Sequence, residues 1–244
     1  MSGLGFFNVL LYSFIAGMST VAGVYLVKYF GVWTRRNSLN LISFAGGVLL
    51  ATAFFELFPE ALDLNRNWFY AAVIGVTALF LIEHFMVVHA CHEDVCDVHT
   101  MGVVGALGIG IHSLIDGIVI GIGFEASFAL GVVTSMAVIV HELPEGVFTY
   151  TLLIADEVSE RKSLIYSWIV ALATPFGAVM TYLILRGLSP GVLGIMLALA
   201  GGTFIYVGAA DLLPQVHRKP NALNAFLVIV GILFVLIVGR FVGG

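Results

Sequence analysis

Two short strings hold most of the ionisable chemistry that lies inside apolar surroundings in this chain. One reads His112-Ser113-Leu114-Ile115-Asp116-Gly117 and the other His141-Glu142-Leu143-Pro144-Glu145-Gly146. His112 and Asp116 are four residues apart, as are His141 and Glu145, so each pair shares one face of a helix. Glu142 and Glu145, three apart, also lie close on the helix surface. Both strings sit near the middle of long apolar runs, where ionisable groups are costly and mark functional sites. No Lys or Arg occurs in the middle of any such run, so three acids meet without a basic side chain to neutralise them. A divalent cation relieves that repulsion, and a carboxylate–imidazole set suits zinc, iron or manganese. A relay of protons along the same acids and imidazoles is the second reading. The HExxE string superficially resembles the HExxH of zinc proteases. It lacks the second His, carries Pro144 inside the motif and has no evident distal ligand, so intramembrane hydrolysis is not expected.

The elements that position these strings follow from composition. The chain has 244 residues, 60% apolar and 10% charged, against roughly 25% charged in soluble domains. That excludes a soluble globular enzyme, a disordered chain and a disulfide scaffold; Cys91 and Cys96 are the only cysteines. A net charge of −5 leaves no basic excess, so nucleic acid is not an expected partner. About 20 apolar residues cross a bilayer. The apolar runs predict an all-α integral membrane protein, a single transmembrane domain over 1–244. Its eight helices are expected at about 4–28, 38–60, 67–89, 101–124, 127–153, 163–185, 190–215 and 221–241. The fourth and fifth form a tight hairpin, which brings the two strings to overlapping depth.

Orientation follows from the basic residues. With both termini outside, Lys28, Arg35, Arg36, Arg161, Lys162, Arg218 and Lys219 fall in the inner loops. Arg66, Arg186 and Arg240 stay outside. Loop 90–100 is then cytoplasmic. No basic region precedes the first apolar run, so no cleavable signal peptide is expected.

The chain also echoes itself. Ala45-Gly46-Gly47 is followed by Glu56-Leu57-Phe58-Pro59, and Ala200-Gly201-Gly202 by Asp211-Leu212-Leu213-Pro214, at a constant offset of 155 residues. The second and seventh helices run in opposite directions, so the echo predicts an inverted repeat of 3+2+3 helices, an arrangement used by transporters. Pro144 and Pro175 remove backbone donors and free the carbonyls of Val140 and Ala171. Gly117 and Gly146 follow the acids and allow neighbouring helices to approach closely.

At these residues the chain resembles the ZIP (Zrt-, Irt-like protein) family of divalent-metal transporters. HSLIDGIVIGIGF and HELPEG resemble the family's fourth- and fifth-helix motifs. FAGGVLLATAFFELFPEAL and AGGTFIYVGAADLLPQ resemble its second and seventh helices. The resemblance implies a first metal held by His112, Asp116 and Glu145, with His141 nearby. It implies a second metal on Glu142, with Asp116 and Glu145 bridging. Ser113 stands where the family usually has Asn, and Thr174 where some prokaryotic members place Glu. Both departures weaken the second site, so one strong metal and at most one weaker one are expected.

The loop bearing His89, Cys91, His92, Cys96 and His99 is similar to the family's His-rich loop and is expected to capture metal on the cytoplasmic side. A solvated acidic loop is the plainer reading. Glu56 and Glu60 could funnel cations inward, and Asp211 and His217 could receive them, unless they are simply helix-end charges among headgroups. The resemblance thus implies a multi-pass protein of the cell (plasma or inner) membrane, not an enzyme. Its substrate would be Zn2+, with Fe2+, Mn2+ or Cd2+ as alternatives, moved toward the cytoplasm without an organic cofactor. The partners implied are the metal ion and the lipid bilayer, with a homodimer as the assembly to test. A proton- or sodium-coupled carrier of another substrate is the competing expectation.

Overall fold

The computed structural model describes residues 3–90, 98–184, 187–218 and 221–243, and its elements are all helical. Among the described residues, eight helices are long and apolar enough to cross a membrane. They are α1 (Gly5–Thr34), α2 (Arg36–Leu64), α3 (Trp68–Ala90), α4 (Val98–Ala126), α5 (Phe128–Ala155), α6 (Glu160–Ile184), α7 (Pro190–His217) and α8 (Ala222–Gly243). In hydrocarbon the backbone has no water to bond with, so the helix, which closes its own hydrogen bonds, is the form such apolar runs take. Large apolar side chains such as Phe7, Val73, Ile169, Phe226 and Leu233 are exposed, as a surface in contact with hydrocarbon requires. The interior is instead rich in small residues, among them Ala16, Ala45, Ala53, Ala171, Ala178 and Ala198. That division is expected where helices associate by close packing rather than by hydrophobic drive. The protein is therefore a multi-pass integral membrane protein.

The join between α1 and α2 is tighter than the loop expected from the charged residues there. Helix runs through the segment, broken at Phe30, whose φ of −127° and ψ of 35° are not helical. The break lets Thr34 Oγ1 donate to the Leu26 carbonyl, eight residues back, at 3.0 Å. In an unbroken helix those positions are about 12 Å apart.

The α4–α5 hairpin turns at Ser127, whose extended backbone and side-chain oxygen, accepting from Leu130 N at 3.1 Å, cap α5. This turn fixes the relative depth of the two strings. Pro144 and Pro175 sit inside α5 and α6, which remain helical across them.

The echo seen in the sequence reappears in the backbone. α2 widens into a π-helical turn at Ala53–Leu57, which carries Glu56, and α7 does so at Tyr206–Leu212, which carries Asp211. Such turns are rare and concentrate at functional sites.

Glycines make the tightest seams. Gly117 of α4 lies against the Thr174 carbonyl of α6, and Gly146 of α5 against the Thr20 carbonyl of α1. A second set seats Gly47 and Gly231 between α2 and α8, and Gly75 and Gly202 between α3 and α7. These seams tie α1, α4, α5 and α6 into one group and link α2 to α8 and α3 to α7 in the other.

Candidate metal centre

The i, i+4 spacing puts His112 and Asp116 on one face of α4 and His141 and Glu145 on one face of α5, and the hairpin turns these faces together. One ligand atom from each of the four lies within 4.8 Å of all the others. Asp116 Oδ2 is the hub, 3.2 Å from His112 Nε2 and 3.1 Å from His141 Nε2. Asp116 is fully buried, and His141 and His112 are nearly so.

The His141 ring is oriented from behind. Its Nδ1 lies 2.9 Å from the Ala137 carbonyl. A carbonyl only accepts, so Nδ1 carries the hydrogen and a neutral ring presents Nε2 as a lone pair. That lone pair faces a carboxylate oxygen, two acceptors at hydrogen-bond distance. A proton or a metal ion between them resolves the conflict. Fixing the outward nitrogen of a ligand histidine through a bond to the inner one is the usual support for a metal site.

Among the described residues, four buried atoms of this group make no hydrogen bond: His112 Nδ1 and Nε2, Asp116 Oδ1 and Glu145 Oε2, with His112 Nε2 close to Asp116 Oδ2 but not in hydrogen-bond geometry. Leaving a buried polar atom unsatisfied costs about 1–3 kcal/mol. Among the described residues no Lys or Arg pairs with these acids; the Lys28–Glu160 ion pair involves other residues. Four atoms at such spacings surround a centre that needs only about 1 Å of contraction to give the ~2.0–2.2 Å bonds zinc makes to nitrogen and oxygen.

Glu142 behaves differently from its neighbours. It is fully buried and lies outside the four-residue group. Its carboxylate accepts from the Thr20 hydroxyl of α1 and, at 2.6 Å, from the Thr174 hydroxyl of α6. Ser113 Oγ stands 3.5 Å from Glu145 Oε1, at the edge of hydrogen-bond range.

The residues expected along a pathway are placed apart from the four. Glu56 is half-buried in the α2 π-turn, its carboxylate against Gly239 of α8, and Glu60 is half-buried one turn on. Asp211, in the α7 π-turn, is half-buried and within electrostatic reach of Glu83. His217 is exposed and lines a surface cavity with Ala209, Leu213, Pro214 and Arg218. Residues 91–97 of the expected 90–100 capture loop, with Cys91, His92 and Cys96, lie outside the described residues, as do the side chains of His89 and His99.

Sequence reasoning gave no role to Glu83 or Thr20. Glu83 accepts from the Tyr206 hydroxyl at 2.9 Å, and its signal was an acid inside an expected span. Thr20 lies in a charge-free run and gave no such signal.

Residues 88–239 match the family model described as ZIP Zinc transporter. The chain is 33% identical over 121 residues to "Zinc transporter foi" of Drosophila melanogaster, covering 50% of this chain and 17% of that protein. It is 31% identical over 122 residues to "Metal cation symporter ZIP14" of Danio rerio, covering 50% and 24%. It is 30% identical over 107 residues to "Metal cation symporter ZIP8" of Rattus norvegicus, covering 44% and 22%. The chain thus matches a quarter or less of the length of these three relatives.

Proposed function

The chain belongs to the ZIP zinc transporter family, and we propose that it carries a divalent metal ion across the membrane toward the cytoplasm through His112, Asp116, His141 and Glu145. The observation that carries this reading is the convergence of one ligand atom from each of His112, Asp116, His141 and Glu145 within 4.8 Å, in a group where His112, Asp116 and Glu145 leave buried atoms without a hydrogen bond among the described residues. An ion there supplies what the protein does not, a positive charge and a bonding partner for each atom. Zinc is the first candidate, since two imidazoles and two carboxylates suit its tetrahedral preference. Fe2+, Mn2+ and Cd2+ are the alternatives. The ion is substrate rather than cofactor, and the protein does no covalent chemistry. The setting proposed is the cell membrane, with both termini outside and the 90–100 loop on the cytoplasmic side. Glu56 and Asp211, at equivalent points of the repeat, are proposed to act as waypoints toward and away from the centre.

One observation favours a role for protons as well. The His141 Nε2 to Asp116 Oδ2 contact at 3.1 Å accommodates a proton as readily as a metal. A carrier in which metal and protons exchange at this pair combines both readings.

The pH dependence tests this directly. Ligands bind metal in their deprotonated form, so binding releases protons and protons compete with metal. Apparent Zn2+ affinity of the purified protein is expected to weaken from about pH 7 to about pH 5, across the range where imidazoles ordinarily titrate. Isothermal titration in buffers of different ionisation enthalpy reads the proton release. A flat affinity without proton release would mean that these four side chains are not the ligands.

A further inference from the structure

Helices α1 and α6 share a pattern. Gly17-Met18-Ser19-Thr20-Val21-Ala22-Gly23 and Ala171-Leu172-Ala173-Thr174-Pro175-Phe176-Gly177 each place a threonine midway between two small residues, at an offset of 154. Helices α4 and α5 share another, at an offset of 29. His112 corresponds to His141, Ser113 to Glu142, Leu114 to Leu143, Asp116 to Glu145 and Gly117 to Gly146.

The two patterns meet in space. Gly23 lies against the Leu143 carbonyl as Gly177 lies against the Leu114 carbonyl. Gly146 lies against the Thr20 carbonyl as Gly117 lies against the Thr174 carbonyl. The pair α1–α5 is therefore built like the pair α6–α4, and Thr20 and Thr174 occupy equivalent places. The glycines bring α1 and α6 close enough for both hydroxyls to reach the middle of the group.

Their acceptors break the symmetry. Ser113, the counterpart of Glu142, has no carboxylate, and both threonines bond to Glu142. Thr20 donates to Oε2 and Thr174 to Oε1. Each hydroxyl has one hydrogen to give, so each carboxylate oxygen is matched by one charge-assisted bond. Glu142 is next in sequence to a ligand of the proposed site, yet its oxygens are held by α1 and α6.

We propose that Thr20 and Thr174 are positioning residues that clamp Glu142 out of the ion's coordination shell. The clamp restricts the centre to one ion held by His112, Asp116, His141 and Glu145. This inference rests on the metal-binding reading above. It gives the clamp a transport role, because a carrier's site must bind well enough to load and weakly enough to release. Without its two donors Glu142 would be a buried, unpartnered carboxylate, and the bound ion would be its available partner. A fifth ligand would tighten binding and slow release.

The test pairs Thr20→Val/Thr174→Val, which removes both hydroxyls at nearly constant volume, with Thr20→Ser/Thr174→Ser, which keeps them. Zn2+ affinity and stoichiometry are measured on purified protein, and KM and Vmax by uptake of radioactive zinc. The valine pair is expected to bind Zn2+ about tenfold tighter, the scale on which groups supporting a metal ligand act. KM and Vmax should fall together. The serine pair should match wild type. Adding Glu142→Gln to the valine pair should abolish the tightening. If the valine pair does not fold, Thr20→Val alone should tighten binding by a smaller factor that Thr20→Ser does not reproduce.

Unchanged or weaker affinity in a folded valine variant would overturn the clamp, leaving the threonines a packing role. So would Glu142→Gln alone losing Zn2+ as completely as His112→Ala, which would make Glu142 a direct ligand. Zn2+ binding that survives His112→Ala would instead defeat the underlying metal-site reading, so the two failures are distinguishable.

Discussion

Alanine at Asp116 or at Glu145 is expected to abolish metal uptake at normal surface expression, while Glu125→Ala transports near the wild-type rate. Asp116 Oδ2 lies within 3.2 Å of both imidazoles, so its loss removes the atom that joins the α4 and α5 halves of the centre. Glu145 brings the other carboxylate, with an oxygen that has no hydrogen-bond partner among the described residues. Residues that merely support a metal ligand are worth about 10–100-fold in metal affinity, so losing a direct ligand is expected to cost at least that. Glu125 sits at the end of α4 and accepts from the Gly187 backbone at 3.0 Å. That bond is worth about 1 kcal/mol of stability and touches no ligand. Radioactive zinc uptake normalised to surface protein separates the variants. Near-normal transport by Glu145→Ala would remove it from the site.

Gly146→Ala is expected to destabilise the protein by about 1–3 kcal/mol, the usual cost of overpacking a close contact. Gly31→Ala should be neutral or slightly stabilising. A methyl at Gly146 would meet the Thr20 carbonyl and its neighbouring backbone atoms, which cannot swing aside as a side chain can. α1 would have to move off α5, and the Thr20 hydroxyl would move away from Glu142. Nothing lies within 4 Å of a methyl at Gly31, and alanine favours helix over glycine by up to about 1 kcal/mol. Thermal unfolding in detergent compares them. Equal melting temperatures would show that the α1–α5 seam is looser than described.

The spans were legible because apolar runs of bilayer length leave the chain few other structures. The inverted repeat was legible because two glycine pairs and two acid–proline strings keep one offset. What that echo could not disclose is the π-helical winding around Glu56 and Asp211, since winding depends on how α2 and α7 pack. The grouping of His112, Asp116, His141 and Glu145 was legible from helical spacing and the short hairpin, and the absence of nearby Lys or Arg made a metal ion the expected partner. Glu142 shows where that reasoning stops. Spacing places it near Glu145 on the helix, but it does not say which hydroxyl from another helix meets its oxygens. Thr20 carries no charge and so looked like any other residue of an apolar run. The bend at Phe30 was hidden by the basic residues after it, which read as a loop.

Metal content of the purified protein reads directly whether His112, Asp116, His141 and Glu145 hold an ion. Wild type and His112→Ala, each loaded with Zn2+ and passed through a desalting column in detergent, are compared by elemental analysis. A single retained ion per wild-type chain and none in the folded variant are expected. A full complement of zinc on His112→Ala would contradict that reading, placing the ion somewhere other than between α4 and α5.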